Sequence, residues 1–464
     1  MFFGRKDELK EMAQAFGTER FESILIYGRR RVGKTELVNQ ATADLDIPVI
    51  RYECKRTTVY QNLVQMSRTV LSAFHEPLKD YVFSDYEEMF DYLFEKSVHE
   101  KFVFVIDEFS FLLPSDQSVD SALAVAIDKW KNSSRMKLVV SGSYVQILKE
   151  MISAHEHLFG RFTHIISLTP MDYLTCSQFY PEYSDEDKVM MYAAFGGMPY
   201  FNSLIDPSVT AQENIINLIV KKDSILEHEI NEVILNETGK IAEMNLIINL
   251  ISKGVTKYSD LVGRLSKDRI KPDYYLSKLI EMEILEKKTP INDRKNRKKT
   301  FYVLKDNLMK FYYRYIDENM NMRNVMSARM FYDMKVRNDF EKALIPSVFE
   351  RIAQEYLILA NRRGMVDPVF FDIGTYFYDD VANRRNVQLD VVTEDEKGFT
   401  SYECKYTNAQ VGKKVVEQEE KATIGLGMNI YRLGFVSRNG FSEDVDGERY
   451  RLITLFDMYH SFPP

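Results

Sequence analysis

Two kinds of hydrophobic pattern alternate along the first third of the chain. Residues 22–27, 47–52, 102–106, 137–141 and 163–168 are short, nearly continuous apolar runs. Residues 59–74, 86–98 and 119–132 instead repeat apolar positions every three or four residues. The first kind reads as a strand buried on both faces, the second as an amphipathic helix. Strands that alternate with helices of this length need crossover connections, so the pattern predicts a parallel sheet of the α/β class. Residues 171–235 lose the strand signal and read as helices, with Gly196-Gly197-Met198-Pro199 as a break. Three helical stretches (240–252, 256–266 and 271–284) then precede two short strands, 284–289 and 299–304. A connector rich in Met, Asn and Tyr, 305–335, leads into a long amphipathic helix over 338–362. Its stripe is Leu344, Val348, Ile352, Tyr356 and Leu359. A β-rich segment over 368–406, a helix from about 408 and further strands follow.

Length and composition narrow the class. At roughly 150 residues per domain, 464 residues make about three domains. Hydrophobic residues at 45% and charged residues at 28% support buried cores and argue against disorder. No apolar run approaches the roughly 20 residues of a membrane span, so no membrane partner is expected. The N-terminus, Met1-Phe2-Phe3-Gly4-Arg5-Lys6-Asp7-Glu8, is not a secretory signal. Cys54, Cys176 and Cys404 are far apart and odd in number, which fits a reduced, cytoplasmic protein. The net charge of −8 argues against nucleic acid for the chain as a whole. The charge is unevenly spread, however. Lys287, Lys288, Arg294, Lys295, Arg297, Lys298 and Lys299 face a single acid, Asp293, within the predicted hairpin. Three helices followed by a hairpin is the order of a winged helix. A basic wing there would neutralise DNA phosphates with release of counterions.

The loop Gly28-Arg29-Arg30-Arg31-Val32-Gly33-Lys34-Thr35 sits between a predicted strand and a predicted helix and matches the phosphate-binding pattern GxxxxGK[ST]. Glycines permit a tight turn whose backbone N–H groups surround phosphates, and the helix N-terminus adds a favourable dipole. Lys34 then reaches the terminal phosphates and Thr35 binds Mg²⁺. The strand 102–106 ends in Asp107-Glu108. The Asp is placed to complete the Mg²⁺ shell, and the Glu to orient or activate the attacking water.

On these residues the chain resembles the AAA+/STAND-like prokaryotic ATPases of archaeal type, over about residues 1–235. The resemblance includes Phe3-Gly4-Arg5 with Glu8-Leu9, which implies that Arg5 lies in a box near the adenine of ATP. Ser141-Gly142-Ser143 fall at the sensor position, implying that Ser141 and Ser143 contact the γ-phosphate or water. Phe159-Gly160-Arg161 make Arg161 the arginine finger. A finger acting across a subunit boundary would make the functional form a homo-oligomer. Gly196 to Pro199 lie in the family's helical lid.

Near the C-terminal end, Val387 to Val392 and Phe399 to Tyr406 read as strands joined by a turn at Glu396-Lys397-Gly398. Folding this hairpin brings Asp390 opposite Glu403 or its neighbour. Glu403 and Lys405 share one face because side chains alternate. Two carboxylates can hold Mg²⁺, or Mn²⁺, and the metal activates water against a phosphodiester. This resembles the PD-(D/E)XK nucleases, with Asp390, Glu403 and Lys405 as the motif. The resemblance implies that Glu350, on the preceding helix, is an extra metal-binding acid. It extends to the uncharacterised nuclease-like domain that often follows archaeal-type ATPases. Glu53-Cys54-Lys55 repeats the tripeptide, but no hairpin partner carries an Asp across to it, so it reads as structural.

The predicted organisation is a P-loop ATPase core over 1–170, a helical lid over 171–235, a winged helix over 236–310, and a connector with a restriction-endonuclease-like α/β domain over 311–464. The predicted activity is ATP hydrolysis coupled to DNA binding and Mg²⁺-dependent DNA cleavage. The alternative is a nucleotide-dependent switch or scaffold that binds DNA or protein without cutting.

Overall fold

The apolar runs of the N-terminal third form a five-stranded parallel sheet: β1 (Glu22–Gly28), β2 (Val49–Glu53), β3 (Val103–Asp107), β4 (Lys137–Gly142) and β5 (His164–Leu168). Its order is β2-β3-β4-β1-β5. Every residue of β1 and β4 is buried, whereas β2 and β5 alternate. Inner strands of a parallel sheet are covered on both faces and so read as continuous apolar runs, while edge strands are not. Helices α1 (Lys6–Gly17), α2 (Lys34–Thr42), α3 (Val59–Ala73), α4 (Tyr86–His99) and α5 (Ser118–Trp130) accompany the sheet. Asp85 caps α4 by accepting from the Glu88 N–H, which satisfies one orphan donor of the first turn. In this computed structural model the described residues are 2–75, 81–113, 118–238, 241–266, 269–296, 299–380, 385–424 and 429–462. The chain divides into two compact units, Met1–Pro170 and Met171–Pro464.

The second unit begins with helices, among them Asp185–Phe195 and Ile225–Thr238. Helices Ile241–Ser252, Tyr258–Leu265 and Pro272–Glu281 then precede the antiparallel pair β6 (Leu285–Lys288) and β7 (Phe301–Leu304). Lys257 makes a further antiparallel bridge to Phe301. The C-terminal strands are β8 (Asp372–Asp380), β9 (Arg385–Asp395), β10 (Gly398–Lys405), β11 (Ile430–Ser437) and β12 (Arg451–Thr454). They form one mixed sheet, ordered β12-β11-β10-β9-β8. The helix Ile345–Arg362 packs on β9 and β10. Its buried stripe keeps Leu344, Val348, Ile352 and Tyr356, but continues through Leu357 and Ala360. Leu359 is only half-buried, at the edge of that face.

The loop between β6 and β7 does not project as a free wing. The Ile291 N–H donates to the Thr375 carbonyl at 2.8 Å. The Asn292 side-chain amide exchanges two bonds with the backbone of Phe377, at 2.8 and 3.1 Å. Ile291 packs with Tyr376 and Val392. The loop therefore covers the edge strand β8, whose unpaired backbone groups would otherwise face water. Arg294 forms an ion pair with Asp372, and Lys299 pairs with Asp293 at 3.7 Å. Arg297 and Lys298 lie outside the described residues.

A buried ion pair ties the connector to the first helices of this unit. Arg323 donates to both oxygens of Glu227, at 2.7 and 2.6 Å, and to the carbonyls of Val220 and Lys221. The two side chains are 2% and 10% exposed. Burial pushes the Glu227 carboxyl up, but the Arg323 bond and charge outweigh it and hold it below its usual 4.5. Such a group stabilises the fold above the unfolded pKa and loses that contribution as pH falls through the folded one. Removing one partner of a buried pair costs about 3–5 kcal/mol. Arg323→Met should therefore lower the local opening free energy of the Ile225–Thr238 helix by about 3 kcal/mol at neutral pH. Hydrogen exchange of the full chain reads this directly, and the penalty should shrink below pH 4.5.

Candidate functional sites

The C-terminal ends of β1, β3 and β4 bring the first set of predicted residues together. Gly28 ends β1 against the next strand, and a Cβ there would meet the Leu168 carbonyl oxygen at 2.5 Å. Gly33 has φ +94°, a conformation that glycine adopts without strain. The loop between them turns directly into α2. Lys34 is buried and folds back over the loop, donating to the Gly28 carbonyl at 3.1 Å, with Glu108 at 3.9 Å. The Thr35 hydroxyl donates to Asp107 at 2.8 Å.

The two sensor-position serines hold the acids. The Ser141 hydroxyl donates to the other oxygen of Asp107. Ser143 donates twice to Glu108, from its N–H at 3.1 Å and its hydroxyl at 2.7 Å. Glu108 is itself left-handed, at φ +53°, a strained conformation for a side-chain-bearing residue. Arg5 reaches the loop rather than standing apart from it. Its guanidinium donates to the Val32 carbonyl at 3.4 Å and the Thr169 carbonyl at 2.6 Å, and pairs with Glu8. Arg161 is not gathered into this constellation. It pairs with Asp128 on α5 at 2.5 Å and also donates to the His157 carbonyl.

Glu53 lies beside Asp107 in the parallel β2–β3 register, so the first Glu-Cys-Lys does have an Asp across from it. That Asp is already engaged by Thr35 and Ser141. The Cys54 thiol is buried and pushed well up.

The second set converges on β9 and β10. The last paired residues are Tyr402 and Val391, so the next step of the antiparallel register sets Glu403 opposite Asp390. Gln388 donates to the Asp390 carboxylate at 2.6 Å, and Gln354, from the Ile345–Arg362 helix, donates to its carbonyl at 2.7 Å. Lys405 donates to Glu403 at 2.7 Å and to Glu419 at 2.9 Å. Glu350 is pushed up to about 7 by burial and by the charges of Asp390 and Glu403, against Lys288 and Lys310. Burial also raises Glu403 against the opposing Lys405, with Glu419 and Asp390 adding to the rise. Glu350, Asp390 and Glu403 are thus close enough to repel one another. Among the described residues, however, no three His, Cys, Asp or Glu side chains are already arranged to hold a metal ion.

Glu419, Gln354 and Gln388 were not legible from the sequence. Glu417, Glu419 and Glu420 fall within four residues of one helix, and the packing of the Lys413–Ile424 helix on β11 is what sets Glu419 beside Lys405.

Residues 2–202 match the family described as an ATPase domain predominantly from Archaea. Over those residues the chain is similar to an archaeal-type ATPase domain. Residues 312–422 match a family of archaeal and bacterial proteins of unknown function. An uncharacterised protein of Methanocaldococcus jannaschii is 26% identical over 408 residues, 88% of either chain. A Walker-type ATPase of Pyrococcus abyssi is 16% identical, with 68% of this chain and 96% of that one covered and a TM-score of 0.49. The ORC2 protein of Aeropyrum pernix, solved in ADPNP and ADP complexes, is 15% identical over 70% of this chain and 94% of its own, with a TM-score of 0.44. The Walker-type loop and the acids at the end of β3 lie inside the ATPase domain, whereas Asp390, Glu403 and Lys405 fall within the family of unknown function. No helix among the described residues is long and apolar enough to cross a membrane.

A raised carboxyl pKa favours the folded chain while the group is protonated. That contribution is complete below 4.5 and is lost as pH rises towards 7 for Glu350. Glu350→Gln should therefore be more stable than the parent above pH 7 in EDTA, and equal to it near pH 4. Urea midpoints across a pH series test this, and a gap that does not change with pH would reject the coupling.

Proposed function

We propose that the protein binds and hydrolyses ATP with Mg²⁺ and couples this to a DNA-binding, DNA-cleaving C-terminal unit. The observation that carries the first half is the shared carboxylate of Asp107, held by Thr35 from the loop and Ser141 from β4. Thr35 and Asp107 supply the hard oxygen donors that Mg²⁺ prefers, and Lys34 supplies the cation for the terminal phosphates. Bound Mg²⁺ would neutralise charge developing on the transferred phosphoryl group. Glu108 accepts a proton from, or orients, the attacking water after release from Ser143. Ser141 and Ser143 hold the two acids, and Arg5 fixes the loop backbone. Arg161 acts as a finger only after leaving Asp128, in a homo-oligomer.

In the C-terminal unit, Asp390 and Glu403 with Glu350 are the residues that would hold Mg²⁺ or Mn²⁺, which would supply activation of water, and Lys405 would be the accompanying cation. Three helices and a hairpin fit a winged helix that contacts DNA through Lys287 and Lys295, both exposed. A second reading is a nucleotide-dependent switch that binds DNA or protein without cutting. It is favoured by Lys405 occupying Glu403 in place of a prepared three-acid cage.

Lys34→Ala should reduce ATP hydrolysis by at least about 100-fold, as loss of a transition-state electrostatic contact does. Unchanged turnover would reject the loop as the nucleotide site. DNA incubated with Mg²⁺ or Mn²⁺ and ATP should be cut by the parent chain but not by the Asp390→Ala/Glu403→Ala variant. Intact DNA under all conditions, with ATP-dependent DNA retention, would select the switch instead.

A further inference from the structure

We infer that Arg56 is a positioning residue that braces the segments flanking Glu108 and Ser143, and so holds Glu108 back from the attacking water. The inference rests on the reading of Glu108 as the group that orients or activates that water. The Arg56 guanidinium lies 5.0 Å from the centre of the Phe111 ring and 5.8 Å from that of Tyr144. It also donates to the Tyr144 hydroxyl at 2.6 Å. The two rings meet edge to face at 5.7 Å. A cation over an aromatic face and an edge-to-face ring pair are both attractive arrangements.

The places of these residues in the chain give the cluster its leverage. Phe111 ends the single turn Phe109–Phe111 that follows Glu108, and Tyr144 is the next residue after Ser143. Ser143 holds Glu108 through both its N–H and its hydroxyl. One guanidinium therefore fastens the segment after Glu108 to the segment after its holder. The base of the brace is fixed as well. The Cys54 N–H donates to the Asp107 carbonyl at 2.8 Å. The buried Asn62 accepts from the Lys55 N–H at 2.9 Å and donates to the Lys55 carbonyl at 3.0 Å. Glu108 is left-handed, and a strained residue keeps its conformation only where its surroundings over-determine it. A carboxylate that already accepts two hydrogen bonds has fewer lone pairs to offer water. Loosening the brace therefore frees Glu108 for the reaction.

The test is steady-state ATP hydrolysis by the full chain with Mg²⁺. Arg56→Ala should raise kcat by about fivefold, the factor that one exposed cation–π contact represents, and leave KM for ATP unchanged. Arg56 is exposed, and an unchanged KM shows that the site remains folded. Tyr144→Phe keeps the ring and loses the hydroxyl. It should raise kcat in the parent and add nothing in the Arg56→Ala background, because residues that act as one unit are not additive. An unchanged or lowered kcat in Arg56→Ala overturns the brace. A change confined to KM also overturns it, because Arg56 would then contact the nucleotide. So does an equal effect of Tyr144→Phe in both backgrounds. A parent chain that hydrolyses no ATP, or whose hydrolysis survives Glu108→Gln undiminished, rejects the reading of Glu108 and this inference with it.

Discussion

The cluster at the strand ends of the first unit depends on one carboxylate held in common. Asp107 receives the Thr35 hydroxyl on one oxygen and the Ser141 hydroxyl on the other. These partners belong to the first turn of α2, which follows β1, and to the end of β4, so one side chain ties the ends of three strands together. The constraint is electrostatic as much as geometric, because an acid at a strand end needs donors in a site partly shielded from water. Lys34 contributes from the same loop, and the Ser143 bonds extend the arrangement to Glu108. In the second unit the signs are reversed: one ammonium, Lys405, is shared between two carboxylates. Glu403 is only two residues from Lys405, but Glu419 and both partners of Asp107 lie distant in sequence.

That distance explains what was legible in the chain and what was not. The strands of the first sheet could be read because full burial on both faces leaves continuous apolar runs. Gly28, Gly33, Lys34 and Thr35 could be read because the phosphate-loop pattern is local, with its residue types and its backbone requirement inside eight residues. Asp390 and Glu403 could be aligned because a two-residue turn at Glu396-Lys397 fixes the register arithmetically. Glu419 and Gln354 could not be found this way, since their roles arise from helix packing on a sheet. Ser141 and Ser143 could be placed at the end of a strand from sequence. Their hydrogen bonds to Asp107 and Glu108 depend on strand order, which no local pattern encodes.

The second unit shows the same limit at the level of organisation. Its helical start, its hairpin module and its C-terminal sheet have distinct sequence textures. Yet Arg323 locks onto Glu227 across 96 residues, and Ile291 and Asn292 attach the hairpin loop to β8. Helix Asp185–Phe195 also touches Ile345–Arg362, where Tyr192 donates to Glu355 at 2.9 Å. Texture marks the elements, but buried pairs decide which elements are fastened to one another.

This integration changes how the basic segment should be weighed. Counted from sequence, 287–299 concentrates positive charge in an acidic chain. In the folded unit Arg294 faces Asp372 and Lys299 faces Asp293, so part of that charge is already satisfied within the protein. Lys288 acts on Glu350, inside the acidic site. The β6–β7 loop is hydrogen-bonded to β8, an edge strand of the sheet that carries Asp390. On the proposed reading, a phosphate contact from this loop would therefore be made beside the carboxylates. The same charges that appear as a separate DNA-binding element in the sequence are better understood as one rim of the proposed C-terminal site.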